Sequence, residues 1–137
     1  MEYRLLPAVV LVAAGCAQRY ATPTELRASA TPDAVFSCVK QQFGVLGYKQ
    51  SSLDADELRI SGTKIDETSR RSDTQFRRVL NRLEVDVSPA ADGNTAFVVL
   101  PRTFAEYTTQ RGPTETEEKS STEVKADAQS LLERCKG

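Results

Sequence analysis

The chain reads as an α+β domain in two layers: a four-stranded antiparallel meander with two helices on one face, in the order helix, four strands, helix. Three observations predict this. Apolar residues recur at helical spacing in two stretches, one after Thr31 and one at the C-terminal end. Between them lie four runs in which apolar residues gather or alternate with polar ones, the period of a strand. The links between these runs are short, and short links favour antiparallel neighbours over crossovers.

Thr31-Pro32-Asp33 is a helix start: a hydroxyl N-cap, a proline at the first helical position, and an acid at the positive end of the helix dipole. Val35, Phe36, Val39, Phe43 and Leu46 follow on one face, and Gly47 supplies the stop, which predicts a helix over 32–46. Residues 48–53 and 58–65 form a hairpin around the acidic turn Asp54-Ala55-Asp56-Glu57. Residues 66–75 are a charged loop. From Arg77 to Val87 the alternation is clear, with Val79, Leu83, Val85 and Val87 inward and Arg82, Glu84 and Asp86 outward. A turn over 88–94, rich in breakers, leads to a fourth strand over 95–108, where Pro101 implies an edge position or a bulge. Residues 109–119 read as a polar loop. The last helix opens on a capping box, Ser120 with Glu123, and carries Val124, Ala128, Leu131 and Cys135 on one face, with Arg134 and Lys136 suited to its C-terminal dipole.

The N-terminus is of a different kind. Arg4 precedes an apolar stretch from Leu5 to Ala14 that ends in small residues and Cys16, the pattern of a secretory signal. The stretch is about half the ~20 residues that a membrane-spanning helix needs. Ala13-Ala14-Gly15-Cys16 resembles the lipobox of bacterial lipoproteins. The resemblance implies that residues 1–15 are a cleaved signal peptide and that Cys16 becomes the mature N-terminus, lipidated with palmitate-type chains. Ala17, where Asp would favour retention in the inner membrane, implies the outer membrane, facing the periplasm. Several acyl chains at about 0.8 kcal/mol per buried CH₂ hold a protein effectively permanently. Residues 16–30, polar and small, read as the lipidated end and a flexible tether spanning roughly 20 Å. Residues 31–137 read as one domain.

Removing residues 1–15 from the 137 leaves 122, enough for one core. A net charge of −1 with 27% charged residues argues against nucleic-acid binding, which calls for a clearly basic domain. With Cys16 assigned to lipid, Cys38 and Cys135 remain in a compartment that permits disulfides. The simplest reading is a disulfide; the alternatives are two buried thiols or a metal site, the latter disfavoured because the chain has no histidine. Strand directions agree with a disulfide. If the first helix runs up and four strands alternate, the last helix runs down, and its end returns to the start of the first. The same count brings the tether in at the start of the first helix and puts the 66–75 and 109–119 loops at the opposite end, away from the membrane.

Few residues invite chemistry. Arg70, Arg71, Arg77, Arg78 and Arg82 form a basic stretch, interleaved with acids, and Arg70, Arg71 and Arg111 are the candidates for gripping an anion or an acidic partner. The bland alternative is solvated charge, with the acids 115–118 facing Arg70 and Arg71 across the top of the domain. Tyr48, Phe104 and Tyr107 are possible groove residues or simply core. The serines have no histidine to activate them, and there is no glycine-rich phosphate loop, so no enzyme, cofactor or metal is expected. The expectation is a non-catalytic interaction or scaffold module of the cell envelope, held to the membrane by lipid on Cys16 and meeting an envelope protein partner. The alternative is a binding module for a small apolar or anionic ligand between helices and sheet. Replacing Cys16 by Ala is expected to move the protein from the membrane to the soluble fraction, and retention in the membrane pellet would disprove anchoring at this residue.

Overall fold

The structure is a computed structural model and describes residues 19–137. The lipobox, Cys16 included, lies outside the described residues. The elements follow in the order β1 (Thr24–Ala28), α1 (Pro32–Leu46), β2 (Lys49–Asp54), β3 (Arg59–Asp66), β4 (Phe76–Pro89), β5 (Thr95–Thr109), β6 (Gly112–Glu118) and α2 (Thr122–Cys135). The class is α+β, with two helices packed against an antiparallel sheet.

Among the described residues the sheet has six strands, two more than expected. Its order is β1-β5-β4-β3-β2, and β6 pairs with β5 beside β1. Both extra strands replace segments read as irregular. Within the expected tether of 16–30, residues 24–28 pair with Val99 back to Thr95 as β1. Only Leu26 and Ala28 mark it, both turned to the core, too short an alternation to separate from coil. Within the expected loop of 109–119, residues 112–118 form β6, paired from Thr109↔Gly112 to Thr103↔Glu118. No apolar residue occurs in β6, so it carries no hydrophobic period; a two-residue turn at Gln110-Arg111 sets its register, with Gly112 at φ 106°.

The other elements follow local chemistry. Thr31 Oγ1 accepts the Ala34 amide at 3.3 Å, and Gly47 caps α1 at φ 85°. In the β2–β3 turn, Asp54 Oδ1 accepts the amides of Asp56 at 3.2 Å and Glu57 at 3.1 Å. The cap of α2 falls one residue later than the expected box. Ser121 Oγ accepts the Val124 amide at 3.1 Å, while Glu123 turns to Lys64 at 2.9 Å. Ser120 is used elsewhere, donating its hydroxyl to the Pro101 carbonyl at 2.7 Å and its amide to the Tyr20 carbonyl at 3.2 Å.

Pro101 explains the shape of this edge. It sits inside β5, opposite Leu83 of β4, yet on the other side β1 stops at Thr24↔Val99 and β6 stops at Thr103↔Glu118. A residue with no N–H thus occupies the gap between two strands, and its carbonyl is satisfied by Ser120. The chain enters here, at Tyr20, and not at the start of α1 as expected. Strand β6 runs down only the upper half of β5, and α2 continues in the same sense over the lower half. The two helices therefore run antiparallel although two strands were added. Cys38 and Cys135 meet at a Cα separation of 5.6 Å and form a disulfide that closes 97 residues, a loop worth about 4–5 kcal/mol by chain entropy.

The core lies between the helices and one sheet face. Val35, Phe36, Val39 and Phe43 of α1 and Val124, Leu131 and Leu132 of α2 pack on Ile60, Leu83, Val85, Val87, Phe97 and Val99. One buried polar node joins the layers: Asn81 Oδ1 accepts the hydroxyls of Thr103 and Ser121, each at 2.9 Å, beneath the α2 cap. Gly62 of β3 leaves room for Phe43, and a Cβ there would lie 2.8 Å from the ring. Gly62→Ala is expected to destabilise the domain by about 1–3 kcal/mol, read as a lower denaturant midpoint with an unchanged m-value.

Candidate functional site

Among the described residues, both helices cover one face of the sheet and leave the other uncovered. Because side chains alternate along a strand, the outer face is built from the residues between the core positions. These are Arg59, Ser61, Thr63 and Ile65 of β3, Leu80, Arg82, Glu84 and Asp86 of β4, and Val98, Leu100, Arg102, Phe104 and Glu106 of β5. Strand β6 adds Glu115 and Glu117.

The cations here are held in place. Arg82 and Arg102 face each other across β4 and β5, a like-charge pair that would repel if left alone. Each guanidinium instead lies over the Phe104 ring, at 4.5 and 4.8 Å from its centre, and each reaches a carboxylate. Arg82 pairs with Glu115 at 3.3 Å, and Arg102 pairs with Glu84 at 3.0 Å and with Glu117. Arg77 and Arg78 both reach Glu106, at 3.4 and 3.2 Å, which accounts for a carboxylate with only 8% of its side chain exposed. Arg59 pairs with Asp86 at 3.4 Å. Phe104 is buried under its two arginines on the outer face and belongs to no apolar core.

Beside this lattice lies an open groove of about 370 Å³, lined by Ser52, Arg59, Glu84, Asp86, Val98 and Leu100. It has an apolar floor and polar walls, and it lies on the face away from the helices. Val98 and Leu100 are half-buried with no helix over them. The bulge between Gln50 and Ser52 in β2 turns adjacent serines to one side, and Ser52 Oγ meets Ser61 Oγ at 2.6 Å on the groove's margin.

The three predicted anion-binding arginines do not share a partner. Arg71 grips Glu118 with two N–H groups, touches the Tyr107 hydroxyl at 3.2 Å and stacks on Phe76 at 5.1 Å. The acids of 115–118 therefore do face Arg71, through Glu118. Arg70 donates to the carbonyls of Glu67 at 2.6 Å and Ser69 at 2.9 Å, closing its own loop. Arg111 is exposed in the β5–β6 turn. Tyr48 is core at one end and polar at the other, donating its hydroxyl to Asp127 at 2.8 Å; burial, then that bond, pushes its pKa far up. Sequence reasoning did not foresee the stacking of Arg82 and Arg102 on Phe104, although the outward position of Arg82 was legible from the alternation. Among the described residues, no helix is long and apolar enough to cross a membrane. No protein-family model matches the chain, and a comparison with curated proteins finds no match.

The 66–75 loop is latched by Asp66, which accepts from the Thr68 hydroxyl at 2.7 Å, the Ser69 hydroxyl at 2.7 Å and the Thr68 amide at 2.9 Å. These bonds, the Thr68 hydroxyl first, hold the Asp66 carboxyl at about 2, against an ordinary 3.8. The folded-state pKa is depressed, so the latch contributes fully above pH ~4 and is lost as pH falls toward ~2. Asp66→Asn is expected to lower stability at neutral pH and to converge with the unaltered protein near pH 2, as measured by denaturant unfolding across that range. A constant gap at all pH values would rule the latch out.

Proposed function

We propose that this chain is a lipid-anchored lipoprotein facing the periplasm, and that it acts as a non-catalytic interaction module of the cell envelope through the uncovered face of its sheet. The observation that carries this reading is the combination on that face of a half-buried apolar centre with arginines already fixed to carboxylates. Protein interfaces favour this composition, with apolar and aromatic residues and arginine at the centre and polar groups around them. Side chains ordered before contact lose less entropy on docking. The lipobox resemblance at Ala13-Ala14-Gly15-Cys16 supports the anchoring and the location, probing an envelope partner rather than a cytoplasmic one.

The competing reading, a ligand held between helices and sheet, needs a cavity in that space. Phe36, Phe43, Leu83, Phe97, Leu131 and Leu132 fill it, each at most 4% exposed. That packing favours the interaction module.

A photoreactive side chain placed at Leu100 on the outer face is expected to yield a discrete crosslinked protein in intact cells, and the same group at Glu133 on the helix layer is expected to yield little. Equal yields from the two faces, or product from Glu133 alone, would overturn the assignment of the face.

A further inference from the structure

The gap that Pro101 leaves between β1 and β6 opens a second groove, on the edge of the sheet where the chain enters. It holds about 360 Å³ and is lined by Arg19, Tyr20, Thr22, Lys119, Ser120 and Lys125, among others. Among the described residues, three cations line it and no carboxylate does. This is unusual in a chain of net charge −1, whose arginines on the outer face are nearly all bound to acids. Among the described residues, none of Arg19, Lys119 and Lys125 makes an ion pair. The nearest acid of the first turn of α2, Glu123, is held by Lys64 at 2.9 Å. The Thr22 hydroxyl and the half-exposed Tyr20 add hydrogen-bonding groups beside the positive charge, while Ser120 keeps its hydroxyl on the Pro101 carbonyl.

We propose that this groove takes the phosphate of anionic phospholipid headgroups, in the leaflet that carries the acyl chains of Cys16. The inference rests on the lipid anchoring proposed above. Chain length supplies the argument for a headgroup over a free phosphate. Arg19 lies three residues after Cys16, and three extended residues reach at most about 11 Å. That distance is close to the screening length of roughly 8–10 Å at physiological salt, so the cations sit within the field of the surface. The β1–β6 edge then faces the bilayer, and the domain stands on this edge rather than on the end where α1 begins. The outer sheet face stays accessible from the periplasm.

The test is hydrogen exchange, read by mass spectrometry, on the full lipidated protein in two kinds of vesicle: phosphatidylglycerol with phosphatidylethanolamine, and phosphatidylcholine alone. The expected result is slowing by several-fold of amides in 19–24 and 119–125 on the anionic vesicles relative to the neutral ones. The effect should fade with added salt and be lost in Lys119→Glu with Lys125→Glu, and unchanged exchange in α1 reports that this variant is folded. Equal exchange on the two vesicle types overturns the proposal. So does slowing on neutral vesicles by inorganic phosphate alone, which would make the ligand a free anion. The mass of the N-terminal peptide separates the two levels: an unacylated Cys16 overturns the anchoring and this inference together, whereas an acylated Cys16 with unchanged exchange overturns only this inference.

Discussion

The pairing of β4 with β5 is the constraint on which the rest of the molecule depends. The two strands run together from Arg78↔Glu106 to Pro89↔Thr95, longer than any other pairing in the sheet. Each remaining element on that side takes its position from β5. Strand β1 uses its first residues and β6 its last. The Thr95 hydroxyl donates to the Ala30 carbonyl at 2.6 Å, just before α1, and Thr103 Oγ1 accepts the Ser121 amide at 2.9 Å, just before α2. A shift of β5 by one residue would exchange its two faces, carrying Phe97 and Val99 out of the core and Arg102 into it.

The one proline in this strand decides how its free edge is shared. Having no N–H, Pro101 cannot extend the ladder outward, so the edge is divided between two short strands with Ser120 bridging the interval. The division has consequences well away from the proline. It lets the chain enter halfway up the sheet, leaves a cationic groove beside that entry, and lets α2 descend over the core in the direction of β6. The disulfide between Cys38 and Cys135 then joins two helices whose ends the sheet has already brought together.

The two faces of the sheet solve different problems. Toward the helices, apolar side chains interlock around the buried Asn81, whose oxygen accepts two hydroxyls while its amide nitrogen has no partner among the described residues. Away from them, arginines and carboxylates settle one another across neighbouring strands and Phe104 serves as their platform. A surface of fixed charges around a half-buried apolar strip is costly to assemble at the moment of binding, and here it is assembled by folding.

Much of this was legible in the residues alone. Helix α1 appears where Thr31-Pro32-Asp33 and Gly47 place it, β3 to β5 follow their alternation to within a residue or two, and the Cys38–Cys135 disulfide is the simplest reading of the two cysteines left once Cys16 is assigned to lipid. These are local signals, in which each residue's preference agrees with its neighbours'. Strands β1 and β6 were not legible, because a polar edge strand is defined by the partner that accepts its hydrogen bonds and not by its own pattern. The Ser121 cap, the divided edge at Pro101 and the stacking of Arg82 and Arg102 on Phe104 likewise join residues far apart in the chain. Sequence determined the class, the helices and the cysteine pair; tertiary structure alone decided which polar segments became strands and where the free cations gathered, since pairing across the sheet depends on what stands opposite.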